Sequence, residues 1–169
     1  MGAVTETAPA APAGAAAGAG VSLAFSGDFV VCADNAKFIM AFVNLGLVPD
    51  TGGTYLFVKS LGIQKAMELC VTGRPMKAQE AKDAGMVYDV VPAEELDDTV
   101  MKLAKKFASG PLLSYKNIKK QIYQAGLADY KKYLDECEIP TQRECAASSD
   151  FIEGVKAFME KRKAEFKGE

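Results

Sequence analysis

The run FVVCA, residues 29–33, constrains the fold more than any other stretch of this chain. It is wholly apolar and contains two β-branched valines, a pattern typical of a buried strand. A second extended piece, AKFIM, follows at residues 36–40, and MVYDVV at residues 86–91 is predicted as a further strand that Pro92 ends. Helical patterns separate and follow these strands, so the sequence predicts an α/β fold.

The helical segments between the strands each stop at a glycine. Apolar residues recur at helical spacing before Gly62 and Gly73, and a short polar helix is predicted to end at Gly85. From Glu94 onward the chain is predicted to be almost entirely helical, with a kink or break at Pro140.

This layout divides the 169 residues into three parts. Residues 1–13 are rich in alanine and proline and are predicted to be a disordered lead-in, residues 14–92 form the core, and residues 93–169 form a helical region. Three of the last four helices show amphipathic spacing, and their apolar faces must bury on the chain's own layers or on a neighbouring subunit. We therefore expect a homo-oligomer; two of these faces contain Val100, Leu103, Ala104 and Phe107, and Ile118, Ile122 and Tyr123.

Composition narrows the possible chemistry. The net charge of −2 gives no general attraction to nucleic acid, and no apolar run is long enough to span a membrane. The absence of Lys and Arg before Lys37 argues against a targeting peptide, so a cytoplasmic location is expected. With no histidine and no C-x-x-C pair, neither a metal site nor a Ser-His-Asp system is expected. Cys32 and Cys70 lie in apolar stretches and are predicted to be core residues.

A turn of small residues, GAAAGAG, precedes a short helix predicted from Val21 to Phe25. Gly18, Ala19 and Gly20 leave the backbone open to close approach, and the start of a helix presents unpaired N–H groups and a positive dipole end. The turn could therefore receive an anion or oxyanion, although a flexible linker or a tightly packed turn is an equal alternative. It matches neither the dinucleotide-binding fingerprint nor the P-loop.

The loop NLGLVPDTGG contains a single acid, Asp50. Apolar neighbours would keep this carboxylate from water, which makes it a stronger base. The alternative is a helix N-cap, in which Asp50 would accept the backbone N–H of Gly52 or Gly53. A third candidate is the basic end AFMEKRKAEF, which could hold a phosphate or simply complement the helix dipole in solvent.

Together these segments resemble the crotonase superfamily, the enoyl-CoA hydratase/isomerase family. The similarity lies in GAAAGAGVSLAFSGDFVVCADNAKF, NLGLVPDTGGTYLFVKSLG, KAMELCVTGRPMKAQEAKDAGMVYDVVPAEEL and DFIEGVKAFMEKRKAEF. These stretches follow the family's order and spacing, and the resemblance covers nearly everything from Gly14 to the end.

The resemblance implies a fold, a substrate class and an assembly. The fold would be a partial superhelix of ββα units followed by a helical trimerisation region, giving a trimer or a dimer of trimers. The substrate would be an acyl-CoA thioester, so that coenzyme A arrives with the substrate and no separate cofactor is needed. Ala19 N–H would bind the thioester oxygen, and Phe158 and Lys161 would contact coenzyme A across a subunit boundary.

The sequence departs from the hydratases of the family at both water-activating glutamates. Ser22 and Phe42 stand at those positions, and neither can act as an acid/base. In isomerase branches, an aspartate at the place of Asp50 is the acid/base. The resemblance thus implies an isomerase that moves a 3-enoyl double bond or rearranges a ring epoxide. Gly18, Gly20, Gly52, Gly53, Phe42 and Leu47 would line its pocket, and the two apolar side chains would keep that pocket dry.

Family members are longer at the N-terminus, where the first ββα units and the second oxyanion N–H lie. The lead-in resembles nothing in the family at that place, so the chain is expected to be a fragment or a short form with weak or absent catalysis alone. Two alternatives remain open at this stage: other chemistry of the hydratase family, and a non-catalytic module for acyl-CoA binding or oligomerisation.

Overall fold

The strands of the computed structural model, which describes residues 9–168, form two three-stranded sheets. The first sheet has the order β1-β3-β6 and is parallel; the second has the order β2-β4-β5, with β2 and β4 parallel and β4 and β5 antiparallel. The strands are β1 (Pro9–Ala10), β2 (Ala15–Ala17), β3 (Phe29–Ala33), β4 (Lys37–Ile39), β5 (Met76–Lys77) and β6 (Asp89–Val91).

Helices connect the strands and make up the C-terminal region. In the core they are α1 (Ala19–Phe25), α2 (Gly53–Leu61), α3 (Ile63–Thr72) and α4 (Ala78–Asp83), with a 3-10 turn at Ala41–Leu45. The C-terminal region contains a 3-10 turn at Ala93–Glu95, then α5 (Leu96–Ala108), α6 (Leu112–Gly126), α7 (Tyr130–Tyr133), a π-helical turn (Leu134–Glu138), α8 (Ile139–Ala146) and α9 (Ser149–Glu160).

The predicted α/β character is confirmed, and the strand at residues 29–33 has the predicted bounds. α2 and α3 stop directly before Gly62 and Gly73, as their patterns indicate. The strand predicted at residues 86–91 is shorter, because the backbone N–H groups of Met86 and Val87 donate to the Ala81 carbonyl at 2.9 and 3.3 Å instead of joining the sheet.

The predicted disorder of the lead-in is wrong for residues 9–13, while residues 1–8 lie outside the described part of the chain. Pro9 and Ala10 pair in parallel with Phe29 and Val30, and the Pro12 carbonyl accepts the Ala33 N–H at 3.1 Å. These contacts use backbone groups that are independent of the side chain, so an alanine- and proline-rich segment can satisfy the edge of β3.

The core has two parts. The larger part packs α1, α2 and α3 against the two sheets, and its fully buried side chains include Phe38, Phe57 and Met40. Cys32 belongs to it, and burial, with a smaller contribution from Asp89, raises the pKa of its thiol to about 11. Cys70 is half-buried against the same cluster. Both predicted core cysteines are therefore confirmed.

A smaller cluster forms between β3 and α5. Val31 and Ala33 of the strand pack against Leu96 and Leu103, with Val100 and Phe107 beside them, which confirms the predicted apolar face of α5. Among residues 9–168, the apolar face of α6 is less covered: Ile118 is 52% and Ile122 61% exposed. No helix within residues 9–168 has the length and apolar character required to cross a membrane.

Pro140 does not break its helix. Helical structure runs without interruption from Tyr130 to Ala146, a segment we call the Pro140 helix, and the turn just before the proline, Leu134–Glu138, is π-helical. Proline lacks the N–H that an α-helical turn needs, and a wider turn accommodates that loss.

α9 packs unusually close to the 3-10 turn at residues 41–45. A methyl group on Gly154 would lie 2.7 Å from the backbone Cα and C of Leu45. We expect Gly154→Ala to lower the free energy of unfolding by about 1–3 kcal/mol, because backbone atoms cannot move aside. Urea unfolding measures the change.

Gly126→Ala, at the end of α6, is the matched control, since nothing lies within 4 Å of an added methyl group there. It should leave stability unchanged or raise it by up to about 1 kcal/mol. Equal stability of the two variants would contradict the close packing of α9.

Candidate active site

The turn between β2 and α1 contains the predicted small residues, and the helix after it begins at Ala19, two residues before the predicted Val21. Gly18 is left-handed with φ 55°, its N–H donates to the Ile39 carbonyl at 2.9 Å, and α1 begins at the next residue. Ala19 and Gly20 form the exposed first turn of α1. The first N–H groups of a helix have no acceptor within it, so Ala19 presents a donor at the positive end of the helix dipole.

Phe42 packs against this turn. Its ring Cζ lies 3.7 Å from the point where a Cβ on Gly18 would stand, and its side chain is buried. The resemblance implies that hydratases of the family carry an acid at the position of Phe42. In this chain that position presents an apolar ring beside the turn. Leu47 is half-buried against the same core.

Ser22 joins α1 to the Asp50 loop, which we define as residues 50–53. Its hydroxyl donates to the Asp50 carbonyl at 3.2 Å and is 2.7 Å from where a Cβ on Gly53 would lie. Ser22 is 2% exposed. The fold thus brings the Gly18 turn, Phe42 and the Asp50 loop into one region, although they are separated in sequence.

The Asp50 carboxylate is half-buried and has two donors. Thr51 Oγ1 donates to Oδ1 at 2.6 Å and Gln142 Nε2 donates to Oδ2 at 3.2 Å. The N-cap alternative is wrong for this side chain: the Gly53 N–H donates to the Asp50 backbone carbonyl at 3.0 Å, and the Gly52 N–H goes to Glu138. The carboxylate is therefore not committed to holding the helix.

Glu138 is the residue that the sequence interpretation missed. Its side chain is 5% exposed, and both carboxylate oxygens lie 3.0 Å from the Gly52 nitrogen, across 86 positions of sequence. Burial raises its pKa and the nearby Asp50 charge adds to that, while the N–H groups of Gly52 and Thr51 lower it. No local pattern distinguishes Glu138 from the exposed acids beside it.

The Asp50 loop has an uncommon backbone. Thr51 has φ 57° and Gly52 has φ 76°, so two consecutive residues are left-handed. A non-glycine residue in this region stores strain of order 1–3 kcal/mol, which surrounding contacts must hold. Tyr130 covers the loop, with its hydroxyl oxygen 1.9 Å from where a Cβ on Gly52 would stand, so a side chain at position 52 would have to displace the Tyr130 ring.

The predicted coenzyme A residues lie elsewhere on the surface. Phe158 is 76% exposed near the end of α9, and Lys161 follows at its exposed, left-handed C-cap. No contact described within residues 9–168 joins either of them to Ala19 or Asp50. In the basic end, Arg162 is paired with Glu153 and Glu160, so its charge is already compensated. Within the described chain, no group of three or more His, Cys, Asp or Glu side chains could hold a metal ion.

The fold and the sequence agree on the class of protein. Residues 8–169 match the enoyl-CoA hydratase/isomerase family, and this chain belongs to that family, within the crotonase superfamily. The match begins inside the lead-in, which corrects the expectation that this segment resembles nothing in the family.

The individual relatives include proteins named as isomerases and a protein named as a hydratase. The chain is 43% identical over 155 residues to the 1,2-epoxyphenylacetyl-CoA isomerase of Escherichia coli and 39% identical over 155 residues to the trans-2-decenoyl-[acyl-carrier-protein] isomerase of Streptococcus mutans, in each case over 92% of this chain and 59% of the relative. It is 37% identical to a probable enoyl-CoA hydratase of Rhodobacter capsulatus, over 94% of this chain and 62% of the relative.

Solved structures agree. An enoyl-CoA hydratase from Mycobacterium avium subsp. paratuberculosis superposes with a TM-score of 0.87 at 35% identity, over 91% of this chain and 62% of that chain. This chain therefore has part of the crotonase fold. The chain spans about 60% of the length of the relatives it matches.

The packing of Ser22 against Gly53 can be tested by filling the space between them. In Gly53→Ala the new methyl group would meet Ser22 Oγ at 2.7 Å and Met40 Cε at 2.8 Å. We expect a loss of about 1–3 kcal/mol in the free energy of unfolding from this overpacking. Gly14→Ala, where nothing lies within 4 Å, is the control. Denaturant unfolding that gives the same midpoint for both variants would refute the described contact.

Proposed function

We propose that this chain belongs to an acyl-CoA isomerase in which Asp50 is the acid/base. One observation carries the proposal: Glu138, not Asp50, accepts the N–H at the start of α2, so the lone acid of the loop is left without a capping role. Its carboxylate is held only by Thr51 and Gln142 among the described hydrogen bonds.

The proposed reaction is a proton transfer along the acyl chain. Asp50 removes a proton from carbon 2 of a 3-enoyl-CoA, and the negative charge moves onto the thioester oxygen. The Ala19 N–H and the dipole of α1 stabilise that charge. Protonated Asp50 then returns the proton at carbon 4, giving the 2-enoyl product. Rearrangement of a ring epoxide would proceed through the same thioester enolate.

Hydration is the competing activity, because the relatives include hydratases as well as isomerases. The side chains at the two glutamate positions favour the isomerase. Ser22 is buried and donates to a backbone carbonyl, and Phe42 is an apolar ring, so neither can activate water. Phe42 and Leu47 also keep competing water from the enolate.

The remaining site residues are proposed from the resemblance. Gly18, Gly20, Gly52 and Gly53 would line the acyl pocket, and the exposed positions of Phe158 and Lys161 suit contact with coenzyme A held by a neighbouring subunit. The resemblance assigns the second oxyanion donor to the family's N-terminal part, so turnover is measured both with this chain alone and with a polypeptide that supplies that donor.

Replacing Asp50 tests the proposed activity. We expect Asp50→Asn to lower isomerisation of a 3-enoyl-CoA by about 10²–10⁴-fold, the usual contribution of a positioned acid/base. Asp34→Asn, at an exposed acid, should leave the rate unchanged. The appearance of the conjugated 2-enoyl thioester is followed by absorbance, with the chain alone and mixed with a full-length relative whose equivalent acid has been replaced.

Three outcomes would contradict this function. Unchanged turnover in Asp50→Asn would remove the assigned acid/base. Incorporation of ¹⁸O from labelled water into the product would favour a hydratase. Tight acyl-CoA binding without turnover in either preparation would favour a non-catalytic binding module.

Assembly into a trimer or a dimer of trimers is also proposed. α3 exposes Ile63, Met67 and Val71 at four-residue spacing, an apolar stripe suited to a neighbouring subunit.

We expect sedimentation to show an oligomer that Met67→Glu shifts toward the monomer. Gln64→Glu adds the same charge at an exposed polar position of α3 and should leave the oligomer intact. A monomer in the unsubstituted chain would contradict the proposal.

A further inference from the structure

We propose that Glu138 and Gln142, two side chains of the Pro140 helix, are positioning residues that hold the Asp50 loop in the conformation required for proton transfer. This inference rests on the function proposed above, since it assigns the two residues to the support of Asp50. It gives the C-terminal region a role in the site of its own chain.

The loop needs external support because its backbone is strained. Thr51 and Gly52 are both left-handed, and Thr51 pays a steric cost that glycine would not. Asp50 is the residue directly before this turn, so the direction of its side chain depends on the turn keeping its form. Contacts from elsewhere in the fold must therefore stabilise the turn.

Glu138 supplies the first contact. Gly52 is buried, and its N–H would lack an acceptor without the Glu138 carboxylate, whose two oxygens both lie 3.0 Å away. A buried N–H without an acceptor is strongly unfavourable, so removing Glu138 favours a different loop conformation. The titratable groups that face Glu138 are Asp50 of the loop and Tyr130 and Tyr133 of α7.

Gln142 supplies the second contact, directly to the acid. Its Nε2 donates to Asp50 Oδ2 while Thr51 Oγ1 donates to Oδ1, so each carboxylate oxygen has one donor and keeps a lone pair for a substrate proton. Gln142 Oε1 is buried and has no partner among the described residues. The Gln142 side chain therefore leaves its oxygen without a hydrogen bond. Its one described side-chain hydrogen bond is the bond from Nε2 to Asp50.

Glu138 and Gln142 act together on the Asp50 loop because of their spacing along the helix. Glu138 is the last residue of the π-helical turn and Gln142 follows four positions later in α8, so both lie on one face of the Pro140 helix. Pro140 lies between them, and the wide turn that accommodates it ends at Glu138. The proline thus sets the position along the helix at which this face meets the Asp50 loop.

The first test needs no turnover. In ¹⁵N-labelled chain we expect the Gly52 amide shift to follow the ionisation of Glu138, with a midpoint higher than that of an ordinary glutamate, since burial raises the pKa of that carboxyl. The titration step should vanish in Glu138→Gln, which keeps one acceptor for the N–H. In Glu138→Ala the Gly52 amide should exchange with solvent at least tenfold faster, while the β3 amides keep their protection.

The second test separates positioning from stability. We expect Glu138→Ala to lower kcat at least tenfold with KM changed less than twofold, and Glu138→Gln to restore most of kcat. Gln142→Leu should lower kcat severalfold and leave Gly52 exchange unchanged. Glu136→Gln, at an exposed acid of the same turn, is the control and should change neither quantity.

The outcomes distinguish this inference from the proposed function. If Asp50→Asn abolishes turnover while Glu138→Ala and Gln142→Leu keep kcat, the function stands and the positioning role is overturned. If the Gly52 titration step persists in Glu138→Gln, the contact itself is overturned, even for a chain that shows no turnover or a Glu138→Ala variant that does not fold. Unchanged turnover in Asp50→Asn overturns the function but leaves the Gly52 contact to its own measurement.

Discussion

The acceptance of the Gly52 N–H by the buried Glu138 carboxylate is the interaction on which the candidate site depends. It caps α2 from a helix 86 positions further along the chain and holds a loop whose own backbone is strained. It also relieves Asp50 of the capping role that its sequence position suggests. A buried acid facing another acid is costly, and the backbone donors of Gly52 and Thr51 compensate part of that cost.

The sheets bring the other half of the site to the same place. β2 and β4 lie side by side, so the turn that leaves β2 at Gly18 meets the segment that leaves β4 toward Phe42. Ser22, one turn into α1, then reaches the Asp50 carbonyl. The arrangement places the exposed N-terminal turn of α1, an apolar ring and the Asp50 carboxylate in one region, a composition suited to the proton transfer proposed above.

Much of the fold could be predicted from the local sequence pattern. The strand at residues 29–33, the glycines that end α2 and α3, and the apolar face of α5 follow from side-chain type and spacing alone. β1 could not be predicted, because its pairing uses only backbone groups and its alanine and proline residues carry no strand signal. The roles of Glu138 and Gln142 could not be predicted for a related reason, because their partners are distant in sequence. In addition, a buried acid and an exposed acid cannot be distinguished by the sequence of a polar helix.

The sequence by itself determined the family, the secondary structure of most segments and the presence of one acid in an apolar loop, because these depend on residue type and short-range periodicity. Only the tertiary structure decided what that acid does with its hydrogen bonds. The N–H groups at the start of α2 can be satisfied by a near or a distant carboxylate with equal chemistry. Packing decided between them, since the Pro140 helix brings Glu138 to Gly52 and leaves the Asp50 side chain to Thr51 and Gln142.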